Sequence, residues 1–183
     1  MSNPTGTPNT DRPAATDAAA GHWVLDPAQS SVRIASKTMW GLVTVKGEFA
    51  DVTGQGEVLP GGTASGSLTV RAASIDTGNA KRDTHLRSAD FFGADEHPDL
   101  VFTARSVTPS GNGTAEVAGE LTVRGVSRPV AFAARLTVSS AQDVTLEAET
   151  ALDRAEFGMT WNQLGMIKGA TTVTIAARFR HEG

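Results

Sequence analysis

The chain contains no cysteine. That removes disulfides, thiolate nucleophiles, iron–sulfur clusters and sulfur-bound zinc from the chemistry open to it. No run approaches the roughly 18 apolar residues of a membrane-crossing helix. No basic field is present either: 20 acidic residues exceed 16 Lys and Arg, giving a formal net charge of −4, and the basic residues are scattered. Nucleic acid is therefore not an expected partner, and an anionic lipid surface is not expected to attract the protein electrostatically. The nucleophile elbow GxSxG, HExxH, the Walker loop and GxGxxG are all missing. Gly54 and Gly56 make an isolated GxG that reads as a turn or bulge.

Residues 1–21 hold no Leu, Ile, Val or Phe. They read as a disordered polar tail rich in Pro, Thr, Ala and Gly, with no charged segment leading into an apolar stretch. The expectation is a cytoplasmic protein whose folded domain covers residues 22–183.

What is present is alternation. SVRIASK places Val32, Ile34 and Ser36 on one face, and LVTVKGEF places Val43, Val45, Gly47 and Phe49 on one face. SGSLTVRA, LVFTARSV, AEVAGELTV, VAFAARLTV, VTLEAETAL and TTVTIAARF repeat the pattern, which is that of half-buried strands. Turn residues separate them, as at Leu59-Pro60-Gly61-Gly62 and Ser110-Gly111-Asn112-Gly113. About eight strands joined mostly by hairpins predict an antiparallel sheet closed as a barrel or sandwich. A barrel of that size can hold one small ligand. The alternation does not say which apolar face is inside.

Two stretches break the period. NAKRDTHLRSADFF, residues 79–92, predicts a short helix capped by Asn79. Asp83 and Arg87, four apart, and Arg82 and His85, three apart, could each share a helical face. RAEFGMTWNQLGMIKGA carries many large apolar residues for a loop, which suits a lid or pocket wall. Arg82, His85 and Arg87 form the densest polar cluster, beside Leu86, Phe91 and Phe92. They read either as a solvated helix face with an Asp83–Arg87 pair, or as a polar mouth that meets the headgroup of an apolar ligand. Met39, Trp40, Met159, Trp161 and Met166 read as core or as a pliable pocket wall. His85 and His97, with Asp83, Asp90, Asp95 and Glu96 nearby, match no metal-ligand spacing. Loop hydrogen bonding is the expectation there, with a metal site or a general acid–base role for His85 as the sharper alternatives.

The run SIDTGNAKRDTHLRSADFFGADEHPDLVF resembles the signature of YceI-like domains. HWVLDPAQSSVRIASK, VKGEFADVTG, VAGELTVRGVSRPVAF and RAEFGMTW resemble the family's other conserved blocks, in order, over roughly residues 22–180. The resemblance implies an all-β fold: an extended, lipocalin-like antiparallel β-barrel of about eight strands with a short helical insertion. It implies a ligand that is a long-chain polyisoprenoid or another amphiphilic lipid, bound for sequestration or transport, with no cofactor, no metal and no catalysis. Arg82, His85 and Arg87 would then meet the headgroup. Phe91, Phe92, Phe102, Phe157 and Trp161 would line the wall, and Met39, Trp40 and Ile34 would also contact the ligand. A chain of roughly 30–40 carbons would gain about 0.8 kcal/mol per buried CH2 before binding costs. The family also implies a homodimer. Ile34 stands where the family often has Phe, and Thr38 where it often has His, so ligand identity does not carry over. The alternatives are a lipid-acting enzyme using His85 with Asp83 or Asp90, and a stress-related interaction module.

Overall fold

Strands form where the sequence alternates: β1 (Gly21–Leu25), β2 (Ser31–Thr38), β3 (Val43–Phe49), β4 (Val52–Val58), β5 (Ala64–Arg71), β6 (Ile75–Asp76), β7 (Asp99–Gly111), β8 (Thr114–Val123), β9 (Val126–Ser140), β10 (Asp143–Leu152) and β11 (Lys168–His181). The computed structural model describes residues 17–183. The tail expected over residues 1–21 therefore lies, as far as residue 16, outside the described residues.

All neighbouring strands pair antiparallel. β1 and β2 are two halves of one bent strand, because both pair with β11, at Leu25↔Phe179 and at Ser31↔Ala176. The bend is a 3-10 turn over Pro27–Gln29, capped by the Asp26 carboxylate on the Ala28 amide. β3 and β4 follow the same course on the next position, β3 pairing with β2 and β4 with β1. The ring continues through β5, β7, β8, β9, β10 and β11 and closes on β1 and β2, giving an eight-stranded antiparallel barrel with one short helix. The about eight strands expected from the sequence correspond to β2, β3, β5 and β7 to β11. Gly54 and Gly56, expected as a turn or bulge, lie instead inside β4, in unbroken register with Leu68 and Gly66 of β5. Closure leaves no long open edge.

The barrel bends at register shifts, and glycine is required there. β7 bulges between Ala104 and Ser106 opposite Gly119 of β8. A Cβ on Gly119 would lie 2.2 Å from the Thr103 carbonyl oxygen, so only glycine admits that approach.

The two ends differ. At the lower end Trp23, Ala115, Leu136, Val138 and Val144 form a buried plug. Ala18 and Ala19 pack against it, and the Trp23 indole N–H donates to the Ala19 carbonyl at 3.0 Å. The chain thus engages the barrel slightly ahead of the expected start at His22. At the upper end β5 has turned away from β3, and the edge of β3 takes only the two-residue β6, at Glu48↔Asp76 and Phe49↔Ile75. The helix α1 (Ala80–Arg87) fills the resulting opening, with Asn79 Oδ1 accepting from the Arg82 amide as the sequence predicts.

Candidate functional site

Several inward-facing apolar residues of the upper half are only half-buried, among them Ile34, Leu100, Phe102, Val130 and Phe132. With the buried Val32, Phe49, Val70 and Phe157 they surround a cavity of about 430 Å³. Every barrel position contributes, because period two sends alternate residues inward. Val32, Ile34 and Ser36 of β2 all face the cavity, as their alternation predicts, and so do Val45, Gly47 and Phe49 of β3. Val43 does not, and is exposed. A second cavity of about 140 Å³ lies toward the lower end. Leu68, Phe102, Phe132 and Ile175 border both, with the two phenyl centroids 5.6 Å apart, so these four side chains form a layer between an upper and a lower chamber.

The polar groups of the upper chamber gather near α1. Arg82, His85 and Leu86 line it, at the i, i+3 and i+4 positions of one helical face. Thr77 fixes this face. Its hydroxyl donates to Asp83 Oδ1 at 2.6 Å and accepts from Arg82 Nε at 2.8 Å, while Arg82 Nη2 donates to the Thr77 carbonyl at 2.9 Å. Two of the five guanidinium N–H groups are so engaged. The Asp83 side chain is buried and also accepts from the Thr77 amide at 3.0 Å. His85 Nε2 meets Asp90 Oδ2 at 2.8 Å. The imidazole sits edge-on between Phe91 and Trp161, with centroids at 5.1 and 4.6 Å.

Arg154 holds the second wall. Its Nη1 donates to the carbonyls of Met159 and Trp161 at 2.8 and 2.7 Å, which folds residues 154–161 back over the chamber. Burial pushes this guanidinium below its ordinary value, with the nearby Asp153 opposing. Among the chamber hydroxyls, Ser36 pairs with Thr171 at 2.9 Å and Thr77 donates to Asp83. Among the described residues no group of three His, Asp or Glu side chains is placed to hold a metal ion. His85 and His97 are engaged separately, His85 with Asp90 and His97 against Gly93 and Gly125.

Nine of the residues singled out from the sequence line the upper chamber: Ile34, Met39, Arg82, His85, Phe91, Phe92, Phe102, Phe157 and Trp161. Two do not. Arg87 projects from the other helical face, where its Nη2 donates to the Ile75 carbonyl at 2.9 Å. It forms no ion pair with Asp83, whose carboxylate is taken by Thr77. Trp40 is 56% exposed, because positive φ at Met39 and Trp40 turns its indole away from the barrel. The sequence reasoning missed Arg154, Val130, Phe132 and Leu121. Alternation marked the last three as sharing a face with other apolar residues, and only barrel closure makes that face the inside.

Among the described residues no helix is long and apolar enough to cross a membrane. A family model, the YceI-like domain, matches residues 23–179. A UPF0312 protein of Ectopseudomonas mendocina is 46% identical over 69 residues, 38% of this chain and 36% of that protein. One from Staphylococcus aureus is 29% identical over 150 residues, 78% of this chain and 84% of that protein. Among solved structures, Burkholderia cenocepacia BcnA superposes with a TM-score of 0.77 at 21% identity, covering 84% of this chain and 98% of that one. A polyisoprenoid-binding domain from Saccharophagus degradans, implicated in plant cell wall breakdown, gives 0.71 at 16% identity, covering 87% and 98%. At these identities the likeness shows the fold.

Proposed function

The chain belongs to the family of YceI-like domains, and from that premise we propose that it encloses a polyisoprenoid or related amphiphilic lipid inside the barrel and releases it chemically unchanged. The observation that carries this reading is the hollow, apolar upper chamber. A dry apolar cavity of about 150 Å³ holds one benzene ring. By that scale a chamber of about 430 Å³ holds on the order of 17 carbons, some three isoprene units. The lower chamber adds about six more where the ligand passes the Phe102–Phe132 layer. This is a shorter chain than the sequence-based reckoning used. Burying it contributes on the order of 10 kcal/mol, against association costs of similar size. In this reading Arg82 and His85, which line the chamber, meet the headgroup.

The second reading, a lipid-acting enzyme, draws on the His85–Asp90 hydrogen bond. The sequence supplies no recognised nucleophile motif for it. The proposal includes a cytoplasmic carrier or scavenger role and a homodimer formed through a barrel face or the loops. Cell fractionation and light scattering check these two points. Mass spectrometry of lipid extracted from the purified full chain tests the main reading. The expected result is an intact prenyl or acyl amphiphile at near-unit ratio. Recovery of no lipid, together with turnover of an added prenyl ester, would favour the enzyme.

A further inference from the structure

Six large hydrophobic residues are exposed among those described: Met39, Trp40, Leu42, Val43, Leu59 and Leu164. Five of them sit on two adjacent tips at the upper end, the β2–β3 turn and the loop before β11. Leu42 and Leu164 are the extremes, at 85% and 77% exposed. The tips are tied together, as the Trp40 amide donates to the Met166 carbonyl at 3.1 Å and Lys37 pairs in register with Lys168.

Met39, Trp40 and Leu164 have φ of 50°, 57° and 54°, a region that bulky side chains rarely adopt. At Trp40 and Leu164 this backbone accompanies side chains that point into solvent. The charge nearest the apolar side chains is positive. Lys37, Lys46 and Lys168, all exposed, flank the turn and the start of β11, while Asp153 and Glu156 stand at the opposite start of the same loop and Glu48 is paired with Arg33. A chain of net charge −4 therefore carries a locally cationic, apolar face, which the net charge conceals.

We propose that these tips dock on an anionic lipid bilayer surface. Leu42, Leu164 and Trp40 enter the headgroup boundary, and the lysines meet lipid phosphates. Apolar side chains flanked by lysine are the composition that partitions into that boundary. Met39, Met166 and Ile167 belong to the same tips and also line the upper chamber. Docking so placed sets the chamber rim against the bilayer, where an apolar ligand passes with little exposure to water. The surface stands on exposure and charge, so it holds whatever the chamber contains.

Co-sedimentation of the full chain with vesicles tests this, using phosphatidylcholine alone and phosphatidylcholine mixed with phosphatidylglycerol. The mixed vesicles are expected to retain the protein, and added salt to weaken retention. Lys37→Ala and Lys168→Ala should each lower partitioning by roughly fivefold. Leu42→Ser with Leu164→Ser should lower it by roughly tenfold or more. Leu59→Ser, at the opposite end, should change nothing. Circular dichroism of each variant reports on folding. Absence of retention on mixed vesicles at low salt overturns the proposal, as does retention that the Leu42/Leu164 variant keeps. A dimer in light scattering that the same variant dissolves, with no vesicle binding, assigns the tips to a second copy of the chain instead.

Discussion

Arg82 and Arg87 are five residues apart on one helix and have different work. Arg82 faces the chamber, whereas Arg87 is spent on the Ile75 carbonyl. Arg82→Ala is expected to weaken an anionic amphiphile by tenfold or more while leaving a neutral alkane of equal length nearly unaffected, in paired fluorescence titrations. Arg87→Ala is expected to lower stability by about 1 kcal/mol with no preference between the two ligands. Equal losses for both ligands in Arg82→Ala would remove the headgroup role. Trp161→Ala should weaken both ligands, since it removes wall area common to them. At the other end of the barrel, Asp143 accepts from Arg178 Nε at 2.9 and 3.1 Å and from Nη2 as well. The hydrogen bond to Arg178 holds the Asp143 carboxyl below its ordinary 3.8, against partial burial. A carboxyl depressed on folding contributes stability that is present above 3.8 and lost as pH falls through the folded value. Urea midpoints of Asp143→Asn should therefore lie below wild type near neutrality and converge with it in acid. A constant gap across that range would contradict the linkage.

Among the elements, β1 draws on the residues just ahead of it. Its Trp23 indole depends on the Ala19 carbonyl, and the Ala19 amide donates to Ala141 at 2.9 Å. Deleting residues 1–16 is expected to leave the thermal midpoint unchanged, since that stretch has no Leu, Ile, Val or Phe. Extending the deletion through Ala20 strands a buried indole donor, at about 1–3 kcal/mol. That is roughly 2–10 °C for a chain of this size. Equal midpoints for both truncations would show that Ala18 to Ala20 contribute nothing. The strands themselves were legible because alternation with turn residues leaves little else for the chain to do. The inward face was not. β9 carries Val130, Phe132 and Ala134 inward, while Ala131 and Ala133 are exposed, and both sets are apolar. The helix was legible in finer detail, since the Asn79 cap and the Arg82–His85 spacing are local properties. The fate of Arg87 was not, because the Ile75 carbonyl comes from a separate element that only the fold brings near. Trp40 depended on left-handed backbone at a non-glycine residue, for which the sequence carries no signal.

For the whole molecule, an eight-stranded ring is wide enough to be either filled or hollow. This one is closed below by Trp23 and its neighbours, which border a small chamber of about 140 Å³, and is hollow above, with about 430 Å³. The volume of the hollow limits what it takes, so binding should depend on ligand length. Titrating the full chain with a homologous series of prenyl alcohols from two to eight isoprene units measures this most directly. Affinity should rise with each unit up to about 17–23 carbons and level off or fall beyond. Phe132→Ala, which opens the layer between the chambers, should move that break toward longer chains. Affinity that climbs without a break to the longest member, or that is absent at every length, would contradict an enclosed, length-limited barrel.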